Sequence, residues 1–73
     1  MTKELPFKVQ IYDDKPVLVK NRFGFGECML EPEVVAVYDT IMGAELLGEY
    51  DTVRKGLKWF RQHYPEEYMI LLD

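Results

Sequence analysis

Residues 33–50, which read EVVAVYDTIMGAELLGEY, decide how many strands this chain can contain. One interpretation is a helix that has Pro32 in its first turn. The apolar stripe of that helix would consist of Val34, Val37, Tyr38 and Ile41. The other interpretation is a hairpin that turns near residues 40–43 and has Gly48 at a bulge or close contact. We predict the hairpin, because three of the four residues at 34–37 are the poor helix former Val, and because glycines weaken a helix interior.

Strands are also predicted before this stretch. Residues 7–12 alternate strictly between apolar and polar side chains, which is typical of a half-buried strand. A turn at 13–16 would lead into a return strand at 17–20, so residues 7–20 are predicted to form a hairpin. Residues 27–30 are either a short strand or a connection that ends at Pro32.

The C-terminal third contains the clearest helix signal, at residues 52–64. Asp51 or Thr52 can cap its first turn, and Pro65 ends it. Its apolar stripe, at spacings of four, three and four residues, consists of Val53, Leu57, Phe60 and Tyr64. Residues 65–73 follow as a short tail, either one more helical turn or an extended segment.

Together these elements predict one small α+β domain spanning residues 1–73. Its fold class would be a three- or four-stranded antiparallel sheet with one C-terminal amphipathic helix packed on a face. A chain of 73 residues has just enough core to stay folded, which leaves little room for a water-excluding catalytic pocket.

The residue inventory argues against catalysis and against metal or cofactor binding. The chain has no Ser, one Cys and one His. A structural zinc site needs about four Cys or His ligands, and a Ser nucleophile is excluded. A nucleophilic pair of Cys28 and His63 is the remaining enzymatic hypothesis. We therefore predict no catalytic residues, no metal and no cofactor.

Charge is distributed unevenly along the chain, whose net charge is −4. Residues 31–50 contain five carboxylates and no basic residue. A basic cluster follows on the outer face of the predicted helix, and it consists of Arg54, Lys55, Lys58 and Arg61. The simplest interpretation is that the acidic block and the basic helix face neutralise each other within the chain.

Apolar content suggests an interface. Hydrophobic residues make up 48% of the chain, and one helix can cover only one face of a sheet. The remaining apolar surface would be covered either by the tail folding back or by a partner, for which a second copy in a homodimer is the simplest choice. The candidate interface residues are Trp59, Tyr68, Met69, Ile70, Leu71 and Leu72.

The segment Arg22-Phe23-Gly24-Phe25-Gly26 resembles part of the core of the RNA-recognition motif. In that family a basic residue, glycines and aromatic side chains lie on a central strand, and the aromatic rings stack on bases. The resemblance covers five residues, and Phe23 stands where the family has Gly. It implies an alternative function in nucleic-acid binding with contacts from Arg22, Phe23 and Phe25. The basic helix face would add contacts from Arg54, Lys55, Lys58 and Arg61.

The function expected from these observations is that of a small, non-catalytic accessory protein that acts through protein–protein contacts. A single Cys, and the absence of any uncharged run longer than five residues, favour the cytoplasm and leave no candidate membrane span. Short acidic proteins of this kind are common among the accessory factors of phages and other mobile elements, and the size of this chain suggests such an origin.

Overall fold

The computed structural model describes residues 4–24 and 26–72, in which a two-stranded sheet is followed by three helices. The elements in chain order are β1 (Val17–Lys20), β2 (Glu27–Leu30), α1 (Pro32–Leu47), α2 (Tyr50–His63) and α3 (Pro65–Leu71). The strands pair antiparallel, with Val17 opposite Leu30. Strand β1 contacts α1, and β2 contacts α3, while α2 packs against both other helices.

The predicted fold class is therefore wrong: the three- or four-stranded sheet with one C-terminal helix is replaced by three helices and two strands. The main error lies at residues 33–50, where the chain forms α1 instead of a hairpin. Each Val costs a helix about 0.5 kcal/mol relative to Ala, whereas burying a Val side chain stabilises the fold by ~1.5–3 kcal/mol. Val34 and Val37 are both 0% exposed, so packing outweighs propensity.

The two ends of α1 follow ordinary helix chemistry. Pro32 occupies its first turn, where a missing N–H costs nothing, and Glu33 lies near the positive end of the helix dipole. At the other end, Gly48 adopts a left-handed conformation with φ of 74°. The N–H of Glu49 then donates to the carbonyl of Ala44 at 2.8 Å. Gly48 is thus a helix C-cap and not a strand bulge.

The predicted hairpin at residues 7–20 is also wrong in its pairing. Residues 17–20 do form a strand, but their partner is β2 and not residues 7–12. The closing turn lies at residues 21–26, where the Asn21 N–H donates to the Gly26 carbonyl at 2.8 Å. Phe7 and Val9 remain half-buried and pack against the core without joining the sheet.

Helix α2 confirms the predicted helix at 52–64, with its buried face turned slightly from the predicted stripe. Val53, Gly56 and Phe60 are buried, whereas Leu57 and Tyr64 are only half-buried. Gly56 allows α2 to approach α1 closely, because a Cβ at this position would lie 2.7 Å from Cδ1 of Ile41. Phe60, 0% exposed, occupies the centre of the core.

The tail forms α3 and folds back over the core. Leu71 is 3% exposed, and Tyr68, Ile70 and Leu72 are half-buried against the core cluster. Pro65 separates α3 from α2 and occupies the first turn of the new helix. The sequence allowed either the tail or a partner to cover the apolar surface, and the tail does cover part of it.

Candidate interaction surface

A shallow groove of about 340 Å³ runs between α2 and α3. We call it the basic groove, and it is lined by Arg54, Leu57, Lys58, Arg61 and Tyr68. Positions three and four apart on a helix share a face, so the four residues from α2 form one continuous row. Tyr68 closes the groove from α3, because the chain reverses at Pro65 and lays α3 against α2.

The floor of the basic groove is apolar and its rim is cationic. Leu57 and Tyr68 are half-buried, so each packs against the core on one side and faces the groove on the other. Arg54, Lys58 and Arg61 are exposed. Their aliphatic stems can cover apolar surface while the charged ends stay in water. Such a surface can bind a ligand that is both apolar and negatively charged.

The acidic block does not neutralise this rim. Within residues 4–24 and 26–72 the two ion pairs join Arg22 to Glu45 at 3.1 Å, and Arg54 to Asp51. Neither pair connects residues 31–50 with the basic cluster on α2. Lys58 and Arg61 have no ion-pair partner among the described residues. The described ion pairs therefore do not join residues 31–50 to the basic helix face, although one cation of that face, Arg54, is paired with Asp51 of its own helix.

The residues proposed for nucleic-acid contact lie in two separate places. Arg54, Lys58 and Arg61 line the basic groove, and Lys55 is exposed without lining it. Arg22 belongs instead to the turn between the strands, where it contacts Glu45 of α1 and lies 5.1 Å from the centre of the Phe23 ring. Phe25 lies outside the described residues. In the RNA-recognition motif the corresponding residues lie on a central strand, whereas here Arg22 and Phe23 lie in a hairpin turn.

Most of the residues proposed for an interface contribute to the core of the monomer. Trp59 is 7% exposed, and its indole N–H donates to the Glu4 carbonyl at 2.6 Å. Leu71 is buried, and Ile70 and Leu72 are half-buried. Met69 is 67% exposed and Tyr68 lines the basic groove, so these two have surface to offer a partner.

The Cys28 and His63 side chains lie on different elements. Cys28 is half-buried on β2 opposite Val19, and His63 packs against the Trp59 ring at the end of α2, with ring centres 5.3 Å apart. Burial, and secondarily the charge of Glu67, raise the pKa of the Cys28 thiol. A nucleophilic thiol needs the opposite shift, since the thiolate is the reactive form.

The sequence did not indicate a second exposed region, which we call the apolar corner. It consists of Leu46, Leu47 and Tyr50, which are 89%, 75% and 62% exposed where α1 meets α2. The signal for it was the pair of Leu residues before the capping Gly48, and only the helical interpretation of residues 33–50 would have placed this pair at a helix end.

A larger depression, of about 570 Å³, lies between residues 8–12 and α1. Two charged residues of opposite sign, Lys8 and Asp39, line this depression. Its other lining residues, such as Val9 and Thr40, are uncharged. The Thr40 hydroxyl donates to the Ala36 carbonyl of its own helix at 2.8 Å. This depression therefore has no excess of either charge, and its Thr40 hydroxyl is already hydrogen-bonded.

The described residues include no group of three or more His, Cys, Asp or Glu side chains arranged to hold a metal ion. Their helices are all too short or too polar to cross a membrane.

Comparison with protein-family models finds no match for this chain, and comparisons with curated proteins and with solved structures likewise find none.

Proposed function

We propose that this chain is a small, non-catalytic accessory protein of the cytoplasm that acts by binding another protein, and that the basic groove is its contact surface. One observation carries the proposal: a row of three cations on α2 borders an apolar floor on a chain whose net charge is −4. Interfaces combine a desolvated apolar centre with a polar rim, and Arg and Tyr are common among their strongest contacts.

The amphipathic character of the groove favours a protein over a nucleic acid as partner. Nucleic-acid binders draw most of their affinity from many phosphate contacts on a basic domain. Here three cations line the groove, and one of them, Arg54, is paired with Asp51. Lys55 is exposed outside the groove, and Arg22 is paired with Glu45. The half-buried Leu57 and Tyr68 would gain more from an apolar side chain than from a phosphate.

Affinity capture with charge-reversed variants tests this proposal. Wild type, Lys58→Glu/Arg61→Glu and the control Lys8→Glu/Lys15→Glu are immobilised and exposed to nuclease-treated lysate of the producing organism. The control makes the same change in net charge outside the groove, on residues that are also exposed. We expect a protein that wild type and the control retain and that the groove variant loses, and that binds purified wild type directly.

The identity of the captured species separates the competing readings. A second copy of this chain, lost with the groove variant, would support the proposal and identify self-association as its form. Material that is retained only when nuclease is omitted would overturn it in favour of the nucleic-acid alternative. Equal retention by all three proteins would show that another surface, such as the apolar corner, makes the contact.

A further inference from the structure

We infer that the partner presents an acidic amphipathic helix to the basic groove, with carboxylates on successive turns and an apolar side chain between them. This inference rests on the proposed function and adds the chemistry and conformation of the bound segment. It follows from three features of the groove: the spacing of the cations on α2, the apolar side chains of the floor, and the helical walls, whose backbone hydrogen bonds are formed internally.

The cations recur at helical spacing. Arg54, Lys58 and Arg61 are four and three residues apart on α2, so the first and last lie about 10.5 Å apart along the helix axis. A helix lying alongside α2 repeats its own side chains at the same rise. Carboxylates at positions i, i+4 and i+7 of such a helix would therefore meet the three cations in register.

The walls of the groove favour a helix over an extended segment. Both walls are helices, α2 and α3, whose backbone hydrogen bonds are formed internally. An extended segment would find no strand edge there to pair with its own N–H and C=O groups. A helix satisfies these groups itself and can pack against two neighbouring helices at the usual 8–10 Å.

The floor requires an apolar residue on the bound face. Leu57 lies between Arg54 and Lys58 in the row on α2, and Tyr68 faces it from α3. A Leu or similar side chain at i+3 of the bound helix would lie against these two residues. The acidic residues of α3, Glu66 and Glu67, do not line the groove. On α2, Asp51 pairs with Arg54, and because both side chains are exposed, a carboxylate of the bound helix can compete with Asp51 for this cation.

Direct binding of designed peptides tests the inference. The probe is a fluorescent helix-forming peptide of about 14 residues with Glu at i, i+4 and i+7 and Leu at i+3. Its controls are the same peptide with Gln for Glu, a scrambled peptide of identical composition, and a single-stranded oligonucleotide. Each is titrated by fluorescence anisotropy into wild type, Lys58→Glu/Arg61→Glu and Lys8→Glu/Lys15→Glu.

We expect the acidic peptide to bind wild type and the Lys8/Lys15 control equally. The groove variant and the Gln peptide should each lose at least about tenfold in affinity, and Tyr68→Phe should retain binding because the ring remains. Equal binding of the scrambled peptide would overturn the helical register, and tighter binding of the oligonucleotide would overturn the acidic helix.

Failure of this inference and failure of the proposed function give different results. If a captured protein depends on the basic groove but the acidic peptide does not bind, the inference falls and the proposed function stands. If capture is indifferent to the groove variant and the peptide also fails to bind, both fall. Circular dichroism of each variant confirms that loss of binding does not reflect unfolding.

Discussion

Asn21 fixes the turn between the strands to the C-terminal helix. The residue is 6% exposed; its side-chain amide donates to the Ile70 carbonyl at 2.7 Å, and its side-chain oxygen accepts from the Phe23 N–H at 2.6 Å. Asn21→Ala removes both bonds and should cost ~1–3 kcal/mol, because buried polar groups lose their partners. Gln62→Ala, at an exposed amide, should leave the melting temperature unchanged. An equal effect of both substitutions in thermal melts would contradict this role.

Ionisation of Asp39 is expected to destabilise the fold, so lowering the pH should stabilise the folded chain through this residue. Partial desolvation of its carboxyl group, and secondarily the charge of Asp13, raise its pKa above the ordinary value of 3.8. The protonated form is therefore favoured in the folded chain, so the stability that Asp39 contributes is present below pH 3.8 and is lost as pH rises through its raised pKa.

Asp39→Asn should consequently raise the melting temperature at pH 7 and have little effect near pH 3, since the neutral amide resembles the protonated acid. Asp14→Asn, at an exposed loop carboxyl, is the control. Thermal melts at the two pH values check the difference. A gain that is the same at both pH values would show that the charge of Asp39 is not its cause.

The contact between α1 and α2 depends on a missing side chain. A Cβ at Gly56 would lie 2.7 Å from Cδ1 of Ile41 and 3.2 Å from Cζ of Phe7, so Gly56→Ala should destabilise the fold by ~1–3 kcal/mol. Gly43 is also helical, but a Cβ there would meet nothing within 4 Å. Gly43→Ala should stabilise the fold by ~0.4–1 kcal/mol. Denaturant unfolding measures both, and the same sign for both substitutions would contradict this packing.

Helix α3 is expected to be part of the core and not a detachable tail. Leu71 is 3% exposed, so Leu71→Ala should cost ~2–5 kcal/mol, of the order of the whole stability of a small domain. Met69→Ala, at a position 67% exposed, should change stability little. Removing residues 68–73 should therefore expose the core and cause aggregation. A truncated chain that stays soluble and melts like wild type would refute the role of α3 as a cover.

Helix α2 could be predicted from sequence because one of its faces is buried and the other is charged. Helix α1 could not, because five consecutive residues, 34–38, are buried and leave no periodic contrast. The regular alternation at residues 7–12 was misleading, because strand pairing depends on which turn brings two segments side by side. That turn is the one at 21–26, where Gly24 and Gly26 both have positive φ.

The cations of the candidate surface could be predicted from sequence, but the groove could not. Arg54, Lys58 and Arg61 were recognisable as one face of a helix. The contribution of Tyr68 depends on the reversal at Pro65, and the half-burial of Leu57 depends on how α2 rotates against α1. Both depend on tertiary packing, which local sequence propensity does not determine.

Ion pairs contribute little to the folding of the molecule, and one of the two described pairs includes a cation of the basic groove, Arg54. Both pairs are exposed, with side-chain exposures of 51% and 42% in one and 74% and 87% in the other. Each is expected to contribute only ~0–1 kcal/mol. Raising NaCl from 50 to 500 mM should therefore weaken partner binding while the melting temperature stays nearly constant. A fall of more than about 5 °C, or roughly 1 kcal/mol in a domain of this size, would show that the ion pairs contribute more to folding than expected.

Mapping the partner onto the molecule tests the role of the basic groove most directly. The captured protein is titrated into ¹⁵N-labelled chain, and backbone amide shifts are followed by NMR. We predict that the largest shifts cluster at Arg54, Leu57, Lys58, Arg61 and Tyr68, while residues 8–12 and the opposing face of α1 stay unchanged. Shifts concentrated instead at Leu46, Leu47 and Tyr50, with the groove unchanged, would contradict the proposal and assign binding to the apolar corner.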